Sequence, residues 1–253
     1  MPYDYEKGKE SIYQTLDATT AVLKSEKHSI REIDGDIKGK NAIRKNISSI
    51  FVDIVNSRKL FKKDKDLAVA KIIRVFTSEV MKILKDTRLF VKMGIRGDCV
   101  FAIYELSNKQ DILMENLVEI YNIALDINKL KQMINEIFRE RSMPTINYGI
   151  GIGTSKDLII SVGKKIANDL VFIGHAVVNA SILSETASRS GIGAIAIDEN
   201  TYNYLNKFCA NRNRSFEVSD FKKESIKVEL VKKEELKYYH ISKMKKINLQ
   251  NKR

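Results

Sequence analysis

The chain has 253 residues, 43% of them apolar, with 12 Gly, 2 Pro and 2 Cys. That apolar content supports a sizeable core and excludes wholesale disorder; at about 150 residues per domain the length fits one domain with extensions or two small ones. No apolar run approaches the ~18 residues of a membrane span, the start MPYDYEKGKE lacks a signal-peptide core, and Cys99 and Cys209 lack the spacing of a disulfide framework or zinc ribbon. A cytoplasmic location is expected.

The formal charge of +12 is unevenly spread. Between Lys222 and Arg253, eleven Lys and Arg stand against four Glu, a net +7. A basic tail on a mildly charged domain reads as a solvated end, with a docking surface for an anionic partner as the alternative. No basic stripe interleaved with aromatics supports single-strand binding, so no stable nucleic-acid partner is expected.

Residues 1–45 are polar and irregular, broken by Gly35 and Gly39, and read as an N-terminal extension with a short helix. Ser49 to Val55 is an apolar strand run interrupted by one acid, and Asn56-Ser57-Arg58 is turn-like. Val69, Ile73, Phe76, Val80 and Ile83 recur at helical spacing. Leu89–Met93 and Cys99–Tyr104 read as a hairpin around Gly94-Ile95-Arg96-Gly97-Asp98. A long helix over about Asp111–Glu140 turns Leu113, Leu117, Ile120, Ala124, Ile127, Leu130, Ile134 and Ile137 inward, with Pro144 near its end.

Ile146–Ile152 and Leu158–Val162 read as a strand pair joined at Gly153-Thr154-Ser155-Lys156. Ala176–Ser188 reads as a small-residue helix and Ile192–Ile197 as a strand, with late strands near Phe216 and Tyr238. The order strand, helix, hairpin, helix, hairpin is an α+β pattern in which two helices cover one face of an antiparallel sheet, a ferredoxin-like or related sandwich. The domain expectation is an extension at 1–45, a central α+β domain at 46–210, and a strand and basic tail at 211–253.

Asp53 is an acid inside an apolar strand, costly to bury unless it is paired or binds a cation. Asp98 follows 45 residues later at the hairpin, and neighbouring strands can bring the two together. Two carboxylates suit a hard cation such as Mg²⁺ or Mn²⁺; a strand-end Asp and a turn Asp, each solvated, is the plainer alternative.

Phe51-Val52-Asp53-Ile54-Val55-Asn56-Ser57 resembles the metal-binding strand and phosphate turn of class III nucleotidyl cyclases. Gly97-Asp98-Cys99-Val100-Phe101 resembles that family's second metal motif. Ile146-Asn147-Tyr148-Gly149-Ile150-Gly151-Ile152-Gly153 through Val162-Gly163 resembles its glycine-bearing hairpin, and Asp169 through Gly174-His175-Ala176-Val177-Val178-Asn179-Ala180-Ser181 the motif before its last catalytic helix. The likeness runs from about Phe51 to Ile197.

The resemblance implies a ferredoxin-like βαββαβ core and a nucleoside triphosphate substrate. It implies two Mn²⁺ or Mg²⁺ ions per site on Asp53, the Ile54 carbonyl and Asp98, activating the 3′-hydroxyl and neutralising the triphosphate. Phe51, Ile54, Asn56, Ser57 and Arg58 become nucleotide contacts, with backbone N–H groups from Ile54 to Arg58 on the phosphates. A homodimer with shared sites is implied, Asn179 reaching the nucleotide from the partner.

The departures bear on specificity. The place of the purine-reading Lys is Gly94, with Lys92 two residues away; the second base-reading place is Val171; the family Asn aligns at Val178, beside Asn179; and the transition-state Arg aligns at Ile182, the next Arg being Arg189. Loss of base-edge groups changes specificity or activity. Retained metal acids with these losses resemble the pyrimidine cyclases of Pycsar anti-phage systems. The expectation is a phosphorus–oxygen lyase making cyclic UMP, with cyclic CMP second, that signals to a separate effector. An adenylate or guanylate cyclase and a non-catalytic cyclase-like binding module are the alternatives. Arg96 is a candidate replacement cation near base or phosphate. His175, Lys164, Lys165 and Lys59 are weaker candidates, and Tyr148 reads as packing.

Overall fold

The structure is a computed structural model and describes residues 3–23, 29–30, 41–60, 66–162, 169–211, 221–227 and 235–241. The chain divides into two compact units, Met1–Lys45 with Leu158–Ile173, and Asn46–Asp157 with Gly174–Arg253.

In the first unit, helix α1 (Tyr5–Asp17) starts at Asp4, whose carboxylate accepts the Lys7 N–H at 3.2 Å, an N-cap. Strand β1 (Val22–Leu23) pairs in parallel with the start of β2 (Ala42–Ile54), Val22 opposite Ala42. The last residues of β5 (Tyr148–Val162) pair antiparallel with β6 (Asp169–Ile173), from Leu158 opposite Ile173 to Val162 opposite Asp169.

The second unit holds the remaining elements: the 3₁₀ turn Ser57–Lys59, α2 (Asp66–Leu84), β3 (Phe90–Arg96), β4 (Cys99–Glu105), α3 (Gln110–Glu140), α4 (His175–Thr186), β7 (Ile195–Asp198), α5 (Glu199–Asn211), β8 (Phe221–Lys227) and β9 (Glu235–Ile241). Its sheet runs β3-β4-β2-β5-β7-β9-β8. The β3/β4, β4/β2, β7/β9 and β8/β9 pairs are antiparallel, and β5/β7 is parallel.

Side chains alternate across a strand, and Ile50, Val52 and Ile54 of β2 join Ile150 and Ile152 of β5 in the main core. That core takes Ile72, Phe76, Val80 and Leu84 from α2, and Leu117, Ile120, Ala124, Ile127 and Ile134 from α3. The opposite face of β5 carries Gly149, Gly151 and Gly153, against which α4 lies. A Cβ at these positions would stand 2.3 Å from the Ser184 carbonyl oxygen, 2.1 Å from that of Ala180 and 2.4 Å from that of Ala176. The alternating glycines are what let the helix backbone approach the strand so closely.

The fold is the α+β, ferredoxin-like class expected, with local differences. The α2 stripe uses Ile72 and Leu84 rather than Ile73 and Ile83 as its fully buried positions. In α3, Ile137 is exposed and Phe138 is buried in its place, because the buried face drifts over so long a helix. Ile146–Ile152 and Leu158–Val162 are not two strands around a turn: Tyr148–Val162 is one continuous strand, Gly153 serving helix packing rather than chain reversal. The strand expected at Ile192–Ile197 is observed at Ile195–Asp198. Helix α5, with Leu205, Phe208 and Cys209 buried, has no counterpart in the expected elements. Phe216, Lys164, Lys165 and residues 242–253 of the basic tail lie outside the described residues.

Candidate active site

Asp53 sits at the end of β2, directly opposite Cys99 of β4, and Cys99 is opposite Arg96 of β3. Residues opposite one another share a sheet face, so Arg96, Cys99 and Asp53 form one row. Gly97, at φ +63°, makes the tight turn that returns the chain to β4 and sets Asp98 beside that row. Burial pushes the Asp53 carboxyl above its usual range, the hydrogen bond from Arg189 opposes this, and the Asp98 charge adds to the rise.

Two groups in this cluster were not anticipated from the sequence. Glu185 on α4 is a third negative charge bearing on Asp53 and on Cys99. The second is Arg189, just beyond α4. Its Nη2 donates to Asp53 Oδ2 at 2.7 Å and to the Ile54 carbonyl at 3.5 Å, and its Nη1 donates to the Ser184 and Ala187 carbonyls at 3.0 and 3.3 Å. The spacing between Glu185 and Arg189, one helical turn, is the only local hint, and the reach from Arg189 to Asp53 crosses 136 positions.

The oxygen donors fit a hard divalent cation. Asp53 Oδ2 and the Ile54 carbonyl already converge on one cationic nitrogen, and Asp98 adds a carboxylate to the same neighbourhood. Among the described residues no group of three or more His, Cys, Asp and Glu side chains forms a metal cage. Few protein ligands suit Mg²⁺-like ions, which keep waters and bind substrate phosphates.

Beyond β2, Asn56 adopts the left-handed conformation (φ 56°, ψ 36°) and turns the chain into Ser57–Lys59. The Val55 N–H is committed to the Asn147 carbonyl at 2.8 Å. The N–H groups of Asn56, Ser57 and Arg58 precede the first turn's hydrogen bonds and find no acceptor among the described residues, leaving donors for an anion. Arg58 and Arg96 are exposed.

Asn179 is held within its own chain. Its amide and the Thr154 N–H donate to Asp198 Oδ2, both at 3.0 Å, while the N–H and hydroxyl of Thr201 donate to Oδ1. Burial pushes the Asp198 carboxyl up and these donors oppose it. Ser48, Thr154 and Thr201 continue the network under β5. Val178, one step away, is 43% exposed. His175 is exposed at the first position of α4, where Ser155 Oγ accepts the Ala176 N–H at 2.7 Å. Tyr148 packs as expected, buried, donating to the Ile127 carbonyl.

Gly94 faces an aromatic wall. It lies opposite Phe101, which stacks on Phe51 with ring centroids 5.0 Å apart and planes 14° from parallel. A Cβ at Gly94 would stand 2.6 Å from Phe101 Cζ, so a longer side chain there requires the Phe101 ring to shift. Val171, the other base-reading place, is an exposed residue of β6.

Cys99 reports on the local field. Burial, then the Asp53 and Asp98 charges, push its thiol up to about 12. The thiolate is the nucleophile, so alkylation by iodoacetamide at pH 8 is expected to be slow. Asp98→Asn removes one negative neighbour and should quicken it. Peptide-resolved mass spectrometry measures the rate, and equal rates in parent and variant would contradict this field.

No helix among the described residues is long and apolar enough to cross a membrane. Residues 40–243 match the family described as the adenylate and guanylate cyclase catalytic domain. The chain is 32% identical over 210 residues to a uridylate cyclase of Treponema porcinum, covering 81% of this chain and 70% of that protein. It is 25% identical over 228 residues to a uridylate cyclase of Gulbenkiania mobilis, covering 87% and 86% respectively. The crystal structure of the adenylyl cyclase CyaB from P. aeruginosa superposes with a TM-score of 0.63 at 18% identity, over 82% of this chain and 99% of that one. With β2, the β3–β4 hairpin and α4 arranged around Asp53 and Asp98, and with the family match spanning the whole of that arrangement, the chain belongs to the class III nucleotidyl cyclases.

Proposed function

We propose that this chain is a metal-dependent pyrimidine nucleotide cyclase, converting UTP in preference to CTP into the 3′,5′-cyclic nucleotide and pyrophosphate. Asp53, the Ile54 carbonyl and Asp98 would hold Mn²⁺ or Mg²⁺, which supplies Lewis-acid activation of the 3′-hydroxyl and charge neutralisation on the triphosphate. The free N–H groups of Asn56, Ser57 and Arg58 would take phosphate oxygens, and Arg96 shares the Asp53 face as a further cation. The 3′-hydroxyl gives up its proton to solvent and its oxygen forms a bond to the α-phosphorus as the bond to pyrophosphate breaks, with positioning and charge stabilisation as the chain's contribution.

The observation that carries the pyrimidine reading is the aromatic wall at Gly94. Where the resemblance places a purine-reading Lys, the Phe101 ring stands against Gly94, and a side chain there would have to displace it. A polar base-edge contact is replaced by apolar surface, which lowers discrimination for a purine edge. The uridylate cyclase names of the relatives point the same way. The product would serve as a second messenger for a separate effector in anti-phage defence. The site would be shared in a homodimer, and the exposed Val178 and Ile95, 43% and 53% accessible, are apolar positions that a partner would cover.

The test is incubation with UTP and Mn²⁺, followed by quantitation of cyclic nucleotide and pyrophosphate. Equimolar cyclic UMP and pyrophosphate are expected. A cyclase-like binding module is the second reading, favoured by the in-chain Arg189–Asp53 pair; nucleotide binding without either product would support it.

A further inference from the structure

The Arg189 guanidinium rests on two of the three groups assigned above to the metal, Asp53 Oδ2 and the Ile54 carbonyl. A divalent ion seated on these two oxygens would compete with the guanidinium for them. Resting on the metal assignment, we propose that Arg189 is the built-in counter-cation of the metal-free site, which neutralises Asp53 until a divalent ion displaces it.

The loop bearing Arg189 is built to present it. Ser188 and Ser190 are both left-handed, at φ 62° and 50°, followed by Gly191 at φ 81°. The Ser188 N–H donates to the Gly193 carbonyl at 2.9 Å and the Ile192 N–H to the Arg189 carbonyl at 2.8 Å, closing a tight turn. The Ser188 hydroxyl donates to the Tyr148 carbonyl at 2.8 Å. Lys131 Nζ lies 3.5 Å from that hydroxyl, donates to Asn147 Oδ1 and the Tyr148 carbonyl, and has its pKa pushed down to about 8 by burial. The backbone is thus pinned, while 27% of the Arg189 side chain remains accessible. Its Nη1 contacts to Ser184 and Ala187 carbonyls at the α4 C-terminus give it a second resting place that survives loss of Asp53.

Mn²⁺ binding to the full chain, without nucleotide, is measured by electron paramagnetic resonance for the parent, Arg189→Met and Asp53→Asn, with circular dichroism confirming folding. Arg189→Met is expected to bind Mn²⁺ roughly three- to tenfold more tightly, the range of a partly buried ion pair removed as competitor. Unchanged or weaker binding by a folded Arg189→Met overturns the proposal. Asp53→Asn separates the two claims. If it binds Mn²⁺ as the parent does, the metal assignment falls. If it loses Mn²⁺ while Arg189→Met binds no more tightly, only the role of Arg189 falls. Should Arg189→Met fail to fold, phenylglyoxal labelling of Arg189 in the parent decides: Mn²⁺ should raise it, and unchanged or reduced labelling overturns the proposal.

Discussion

Asp53→Ala and Asp98→Asn are each expected to lower turnover at saturating Mn²⁺ by at least about a hundredfold, because each removes a charge that the metal-held transition state needs. Neither change should cost the fold. In Asp53→Ala, Arg189 keeps its bonds to the Ser184 and Ala187 carbonyls. In Asp98→Asn, a like charge that raises the Asp53 pKa is gone, so the metal-free protein should melt at or above the parent temperature. Steady-state rates and melting in chelator check both parts. Turnover within tenfold of the parent for either variant would remove these acids from the mechanism.

The second large effect concerns the shared site. Once Asn179→Ala is shown to be inactive alone, Asp98→Ala and Asn179→Ala should recover activity when co-refolded. Mixed dimers pair the intact Asp98 of one chain with the intact Asn179 of the other and hold one complete site of two. Random reassortment makes about half the dimers mixed, so activity should return to about a quarter of the parent. Asn179→Ala leaves Asp198 three donors, from Thr154 and Thr201, which keeps the variant foldable. No recovery, with subunit exchange verified by differential tags, would mean that each site is built within one chain.

Much of the core was legible because period and burial agree. The helices Asp66–Leu84 and Gln110–Glu140 carry apolar residues at helical spacing, and the β3–β4 hairpin is punctuated by Gly97. The errors have physical causes. Gly153 looked like a turn because a glycine between apolar runs is ambiguous; its role is close approach to α4, a tertiary demand invisible in the local pattern. Helix α5 was missed because Asn, Thr and Tyr at its start weaken the helical signal, and its stability comes from burying Leu205 and Phe208.

At the site, the placement of Asp53 and Asp98 followed from strand and turn. The partners that tune Asp53 did not. Arg189 and Glu185 reach Asp53 from the far end of α4, and only the packing of α4 on the glycine face of β5 brings them there. Asn179 illustrates the same limit: its position on α4 was legible, but its bond to the buried Asp198 depends on where β7 ends. The significance of Gly94 likewise lies in its cross-strand neighbour, Phe101, whose ring occupies the space that a base-reading side chain would need.

The most direct test of a metal-dependent pyrimidine cyclase is competition. ATP, GTP, UTP and CTP are supplied together at equal concentration with Mn²⁺, and the cyclic products are quantified by mass spectrometry, with Asp98→Asn as the control. Cyclic UMP should dominate, cyclic CMP should come second, and the control should make neither. Cyclic AMP or cyclic GMP as the main product, or the same products from the Asp98→Asn control, would contradict the account.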